Sequence, residues 1–224
     1  MLIKNLKLFN FKNHSEKSFD FSPEINCFVG NNGAGKTNIL DALHYLSMTK
    51  SFLGNLDAQN ILHESDFFAI EAEIQGEEKN DIIKVQLPKE GKKIIKKNDK
   101  TYERIADHIG FLPSVMISPY DSNLISDGSE SRRKFLDAMI SQTDSDYLFA
   151  LIQYQKTLQQ RNALLKYFAK NRTFDLDSLE IYNEPLTKFG TQIFEKRQRF
   201  VASILPTIQH FYEIISKGNE KVTV

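Results

Sequence analysis

Gly30-Asn31-Asn32-Gly33-Ala34-Gly35-Lys36-Thr37 is the stretch that decides the fold of this chain. It matches the phosphate-binding pattern G-x-x-x-x-G-K-[S/T] at every position. Glycines let the backbone curl so that its N–H groups point at phosphate, and the following helix adds partial positive charge at its N-terminus. We therefore predict a P-loop whose eight residues bind ATP. In it Lys36 contacts the β- and γ-phosphates and Thr37 ligates Mg²⁺.

The sequence on both sides of the loop has the character that a P-loop requires. Ile25–Val29 is mostly apolar, which predicts a strand buried in a sheet, with Cys27 as a small core residue. From Lys36 to about Met48 the apolar residues recur at helical spacing, which predicts an amphipathic helix. The predicted order is therefore strand, glycine-rich loop and helix.

Alternating apolar residues predict further strands and an antiparallel meander in the first 120 residues, mixed with short helices. The predicted strands are 2–11, a short one at Phe19 and Phe21, 67–75, one around 83–87, one within the lysine-rich stretch 89–100, and 115–117, with a short helix near 102–109.

The pattern changes after Asp121, where we place a domain boundary. Ser129 is expected to cap a helix over 130–142. Sustained spacings of three and four from about 145, and again from 177, predict two long helices packed as a hairpin. Pro185 and Pro206 should start, kink or split the second long helix.

The fold class is predicted to be α/β of the mixed α+β kind, with the chain divided into three parts. These are a P-loop lobe over 1–120, a helical lobe over 121–218, and the start of a truncated strand over 219–224.

Composition restricts the class of partner. The formal net charge is zero, so a DNA contact must come from local patches or from a partner subunit. One cysteine excludes an internal disulfide and fits a reducing cytosol. The sequence has no signal-peptide pattern and no apolar run near the ~18 residues that span a bilayer. We therefore expect a cytoplasmic protein with no membrane partner.

The carboxylate that hydrolysis needs is not evident. A Walker B acid follows an apolar strand, and no four apolar residues here precede Asp-Asp or Asp-Glu. The nearest candidate is 115–117 followed by Asp121, where Pro119 would distort the strand end. No Ser-Gly-Gly run of the ABC signature is found either. The catalytic residues are therefore unknown, and hydrolysis by this chain is an open question.

The loop and the residues after it, Asn-Ile-Leu-Asp-Ala-Leu, resemble the P-loops of SMC-like ABC ATPases, and of the RecF family most closely. Leu8-Phe9-Asn10-Phe11-Lys12-Asn13 looks like that family's first-strand motif, with Lys12 where an arginine is usual. The motif suggests that Lys12 and Asn13 also reach the nucleotide; a structural role is the alternative.

Three later stretches are also similar to RecF. Residues 124–137 resemble the signature around its paired arginines, with departures at Asp127, usually glycine, and Ser129, usually proline. Residues 154–166, and Phe189-Gly190 with Arg197, look like the family too.

The resemblance implies an ABC-type head, lobe I, with a helical second lobe. It implies an ATP-dependent homodimer that binds DNA near single-strand/double-strand junctions and acts with RecR and RecO to load recombinase. RecF proteins are longer, and their signature and Walker B segments lie beyond residue 224. We therefore expect an incomplete head and a truncated homologue or fragment.

Six basic residues are candidates for DNA contacts. For the lysines the alternative is a solvated hairpin edge, where lysine discourages strand pairing. For the arginines the alternative is a salt bridge on a helix surface. The candidates are Lys92, Lys93, Lys96, Lys97, Arg132 and Arg133.

Two other functions remain open. One is a nucleotide-binding interaction module that does not hydrolyse ATP. The other is a different SMC-like ATPase, for example in phage defence, against which the paired-arginine and Gln-Arg-Asn stretches count. The five histidines are scattered and lack metal-ligand spacing, so we expect them to be structural or exposed.

Overall fold

The computed structural model describes residues 1–54 and 56–219. The chain forms two compact units, Met1–Pro119 and a second unit from Tyr120 onward. The strand predicted near the end of the chain lies outside the described residues, apart from Asn219. Each unit is described below by itself.

The first unit is built on one antiparallel sheet of six strands in the order β2-β1-β3-β4-β5-β6. The alternation predicted for 67–75 is confirmed, since its apolar residues are buried and its polar residues are more exposed. The strands are β1 Leu2–Phe11, β2 His14–Asp20, β3 Phe67–Gln75, β4 Asn80–Pro88, β5 Ile94–Lys97 and β6 Lys100–Thr101.

Helix α1, Lys36–Met48, packs on the apolar face of this sheet. Its residues Ala42, Tyr45 and Leu46 are fully buried in one cluster with the inward residues of β1, β3 and β4. The predicted start and end of this helix are confirmed. Two short 3₁₀ turns, Asp57–Asn60 and Ile105–His108, complete the unit, and the second lies within the helix predicted near 102–109.

Two predicted strands are wrong. Ile25–Val29 forms no regular secondary structure and pairs with no strand of the described chain, and Ile25 and Val29 are 81% and 91% exposed. Cys27 is exposed as well. Residues 115–117 are likewise unpaired, with Ile117 83% exposed. An apolar segment becomes a buried strand only when neighbouring strands pair with it, and none of the six described strands pairs with either segment.

The second unit is helical. Helices α4 and α5 pack side by side as predicted, with α3 against both. Helix α5 runs unbroken through Pro185 and Pro206, so the predicted start or split is wrong. Each proline removes one backbone bond, and the apolar stripe on both sides keeps the helix continuous. The helices are α2 Asn123–Ser126, α3 Ser129–Ser141, α4 Ser145–Asn171 and α5 Leu176–Ser216.

Ser129 does not cap α3, because Gly128 is the N-cap and Ser129 is the first helical residue. An ion pair fixes the three main helices. Asp137 of α3 accepts two hydrogen bonds from Arg197 of α5, each of 2.8 Å, and one from the Tyr147 hydroxyl of α4. Burial, together with this bond to Asp137, raises the pKa of Tyr147. No helix among the described residues is long and apolar enough to cross a membrane.

The fully buried His108 should make the first unit sensitive to acid. Its Nε2 donates to the Leu46 carbonyl over 2.6 Å, and burial lowers its pKa; burial also lowers the pKa of His44. The pKa of such a histidine is lower in the folded protein than in the unfolded chain. Its contribution to the free energy of unfolding is therefore fully present above about pH 6.5, the unfolded pKa, and declines as the pH falls below it. Each such histidine can steepen the decline by at most about 1.4 kcal/mol per pH unit.

Urea unfolding between pH 7.5 and 5.5 measures the slope of the free energy of unfolding against pH. His108→Gln keeps an amide donor for Leu46 but does not titrate, so its slope should be smaller than that of the unmodified chain. The contribution of His44 should remain in the variant. Equal slopes in the two proteins would contradict the role of His108.

Candidate nucleotide site

The predicted P-loop leads directly into α1. Lys36 is the first residue of the helix, and its Nζ donates to the carbonyl oxygens of Gly30 at 2.7 Å and Asn31 at 2.8 Å. The ammonium group therefore lies inside the curl of the loop. This position is what the motif predicts for a lysine that contacts phosphate.

The N-terminus of α1 carries uncompensated partial positive charge. Gly35 is its N-cap, no side chain caps the first turn, and the first turn contains no acidic residue. The first N–H groups of a helix have no partner within it, and together with the helix dipole they attract anions. With the charge of Lys36 added, this end of the helix suits a polyphosphate.

All three loop glycines have backbone conformations that other residues rarely adopt, and Gly30 has a φ of 154°. Gly33 has a φ of 82° and Gly35 a φ of 91°. A Cβ at Gly35 would also lie 2.5 Å from Asn13 Oδ1 and 2.6 Å from His14 Nε2. The last glycine of the motif is therefore required both by the backbone and by close packing of the β1–β2 turn.

The β1–β2 turn contacts the loop through two side chains. Asn13 Nδ2 donates to the Gly33 carbonyl at 3.2 Å, and Asn38 Nδ2 of α1 donates to Asn13 Oδ1 at 2.8 Å. His14 Nε2 lies 3.2 Å from the Gly35 carbonyl, so this nitrogen carries the hydrogen. Asn13, which we predicted near the nucleotide, thus touches the backbone of the loop itself.

Lys12 has another partner. Its Nζ lies 2.5 Å from Oδ2 of Asp41 in α1, and both side chains are buried. Asp41 also accepts from the Ser51 hydroxyl at 2.8 Å and the Phe52 N–H at 2.6 Å. The structure therefore places the Lys12 ammonium in an ion pair that joins the β1–β2 turn to α1, instead of against the P-loop.

A metal ion would find one protein ligand here. Thr37 is exposed in the first turn of α1. The described residues contain no group of three or more His, Cys, Asp or Glu side chains that could bind a metal. Mg²⁺ in nucleotide sites takes few protein ligands, and phosphate oxygens and water supply the others. Thr37 therefore fits an Mg²⁺ ion that arrives with the nucleotide.

The four candidate lysines do not form one free patch. Lys93 Nζ is bound by Asp57 at 2.7 Å and by the Thr49 carbonyl at 2.5 Å, at the C-terminal end of α1. Lys97 lies 3.1 Å from Asp81. Lys92 is exposed and Lys96 is half-buried.

The paired arginines also have partners inside the second unit. Arg132 donates to the carbonyls of Leu124 at 3.0 Å and Asp127 at 3.1 Å, which closes the connection before α3. Arg133 donates to the Ser129 hydroxyl at 2.7 Å. Within the part of the chain that the structure describes, their acceptors are neutral oxygens, and neither arginine forms the salt bridge that we considered.

Comparison with known proteins gives consistent results. A protein-family model described as AAA domain matches residues 5–204. The protein named DNA replication and repair protein RecF from Flavobacterium johnsoniae is 52% identical over 99% of this chain and 62% of its own length. The RecF protein of Phocaeicola vulgatus is 45% identical over 100% of this chain and 60% of its own length.

Two solved structures are also similar. The recombination mediator protein RecF-ATP of the RecFOR pathway superposes with a TM-score of 0.92 at 32% identity. It covers 98% of this chain, which in turn covers 58% of that chain. The related structure described as RecF-ATPrS gives a TM-score of 0.91 with the same identity and coverage.

The sheet, the loop and the helix that follows it define a P-loop ATPase domain, and the chain belongs to the AAA domain family. Within that class nearly the whole of this chain is similar to part of the RecF proteins, as the first-strand, P-loop and later motifs suggested. The chain spans about 60% of the length of the curated relatives that it matches.

Proposed function

We propose that this chain binds ATP with Mg²⁺ at Gly30–Thr37, as part of a RecF-type protein of DNA replication and repair. One observation carries the proposal: the Lys36 ammonium lies within the loop at a helix N-terminus that has no acid in its first turn. The similarity to a structure described as RecF-ATP supports it.

Each residue of the site has a definite task in this proposal. Lys36 would exchange its bonds to the Gly30 and Asn31 carbonyls for stronger, charge-assisted bonds to phosphate oxygens. Backbone N–H groups at the start of α1 would bind the remaining oxygens, and Thr37 would ligate Mg²⁺. The metal would neutralise part of the phosphate charge.

Turnover requires a carboxylate at the loop, and neither Asp41 nor Asp121 is placed to provide it. The acid nearest in sequence, Asp41, is fully buried and engaged by Lys12, Ser51 and Phe52. Asp121 lies in the turn Pro119–Ser122 and follows no strand. We therefore propose that this chain binds ATP without hydrolysing it, as the alternative of an interaction module also requires.

The wider role is proposed from the family. RecF-type function would include an ATP-dependent homodimer, binding of DNA at single-strand/double-strand junctions, and recombinase loading with RecR and RecO in the cytoplasm. The relatives' name, DNA replication and repair protein, and the RecFOR pathway of the similar structures support this role. Of the four candidate lysines, we propose the exposed Lys92 and the half-buried Lys96 for contacts with DNA phosphates.

Calorimetric titration of Mg-ATP into the 224-residue chain, followed by a phosphate-release assay on the same sample, tests the proposal. We expect saturable binding and no phosphate release above background. Absence of binding would refute the nucleotide site. Release that depends on Lys36 would show that a carboxylate within this chain completes the site.

The DNA role is tested on the same sample with fluorescently labelled gapped duplex, single strand and blunt duplex. ATP should raise affinity for the gapped duplex most, and affinity should fall with salt because phosphate contacts release counterions. The double variant Lys92→Ala/Lys96→Ala should lower the affinity for all three DNA probes to the same extent. Equal binding to all three probes with and without ATP would contradict junction recognition by this chain.

A further inference from the structure

We propose that Asn13 and His14 are positioning residues: from the β1–β2 turn they fix the P-loop backbone in the conformation that accepts phosphate. This inference rests on the proposed nucleotide site. Neither side chain needs to touch the nucleotide for it. Both act through carbonyl oxygens of the loop, those of Gly33 and Gly35.

The direction of these two bonds is the central observation. In a trans peptide unit the C=O of one residue and the N–H of the next point in opposite directions. The Gly35 carbonyl accepts from His14 and also from the Ile39 N–H of α1 at 3.1 Å, and these two bonds together turn the Lys36 N–H away from the turn. The bond from Asn13 to the Gly33 carbonyl does the same for the Ala34 N–H. The side-chain donors of the β1–β2 turn thus help to orient the backbone N–H groups of the P-loop.

The loop needs such support because glycine loses more backbone freedom on ordering than any other residue. Within the loop, the Ala34 N–H makes only a long bond of 3.3 Å to the Asn31 carbonyl. A loop already ordered before binding does not lose this freedom when phosphate binds. Contacts that order the loop should therefore increase its affinity for nucleotide.

Both donors are themselves fixed. The bond from Asn38 to Asn13 Oδ1 determines which way the Asn13 amide faces and leaves Nδ2 for Gly33. The His14 ring is buried, and the edge of Phe19 packs against it at 6.2 Å between centroids. The turn is anchored in addition by the Lys12 N–H, which donates to the Asn60 carbonyl over 2.7 Å.

The fit between turn and loop is close. A Cβ at Gly35 would collide with both Asn13 and His14, so the two elements touch without intervening space. A side chain that merely filled a gap beside the loop would not need donors aimed at carbonyl oxygens. The contact is therefore polar and directional as well as steric.

Two pairs of variants test the proposal. His14→Phe keeps an aromatic ring but has no donor, whereas His14→Gln retains an amide donor in place of Nε2. Asn13→Ala removes the bond to Gly33, and Leu87→Val, in the core on β4, controls for a general loss of stability. Hydrogen exchange of the amides of residues 33–37 is measured without nucleotide, and Mg-ATP affinity is measured by calorimetry.

We expect His14→Phe and Asn13→Ala to speed exchange of the loop amides and to weaken Mg-ATP binding by about 3–10-fold each, the loss typical of one hydrogen bond. His14→Gln and Leu87→Val should stay close to the unmodified chain in both measurements. Unchanged exchange in His14→Phe, or equal losses in His14→Gln and His14→Phe, would overturn the proposal. The exchange measurement needs no ATP, so it separates failure of this inference from failure of the nucleotide site.

Discussion

Lys36→Ala is expected to weaken Mg-ATP binding by at least about 100-fold while leaving the melting temperature nearly unchanged. The lysine provides a full positive charge within the loop, and losing a charged partner of phosphate costs several kcal/mol, where each 1.4 kcal/mol is a factor of ten. Stability should change little because the ammonium group bonds to loop carbonyls and Lys36 is not among the residues of the buried core cluster. Calorimetry gives the affinity and scanning calorimetry the melting temperature.

Lys17→Ala is the matched control, because Lys17 is an exposed lysine on β2 and the loss of charge is the same. Its ATP affinity should equal that of the unmodified chain. An unchanged affinity in Lys36→Ala would remove the central claim about the site. A large fall in melting temperature would show that the loop contributes to the core, which its exposure does not suggest.

Lys12→Met is expected to destabilise the first unit by about 3–5 kcal/mol, the usual cost of leaving one charge of a buried pair without its partner. Asp41 is fully buried, and its remaining partners, Ser51 and Phe52, do not neutralise its charge. The measurement is urea unfolding at pH 7.5. If Lys12 acted on the nucleotide instead, ATP affinity would fall and stability would not.

The double variant Lys12→Met with Asp41→Asn provides the control. Asparagine keeps an oxygen for the Phe52 N–H and carries no charge, so the double variant should recover most of the stability lost by Lys12→Met. Two single losses that simply add in the double variant would contradict an ion pair between these residues.

Structural elements that depend only on the residues of one continuous segment could be predicted. The loop and α1 follow from an eight-residue motif and a helical spacing, and β3 follows from strict alternation over 67–75. Each of these patterns is complete within one segment. The two long helices are recognisable for the same reason, since their apolar stripes repeat over many turns.

Features that depend on distant partners could not be predicted. Whether Ile25–Val29 becomes a buried strand depends on strands beside it, and its apolar composition does not reveal them. The contact of His14 with Gly35 joins residues 21 apart, and a single histidine after a strand has no motif that would indicate it.

The lysine-rich hairpin illustrates the same limit. Its charge pattern is compatible with a DNA surface and with a solvated hairpin edge. The structure shows that Lys93 bonds to Asp57 and the Thr49 carbonyl, so it closes the C-terminal end of α1. These partners lie 44 and 36 residues away from Lys93 in the sequence, so the charge pattern of the hairpin does not reveal them.

The exposure of Cys27 has a practical consequence. It is the single cysteine of the chain and lies three residues before Gly30. An accessible thiol reacts readily with maleimide dyes, whereas the same residue in a buried strand would be inert. The chain therefore already contains one chemically unique attachment point beside the P-loop. An environment-sensitive fluorophore there could follow nucleotide arrival in real time without any engineered residue.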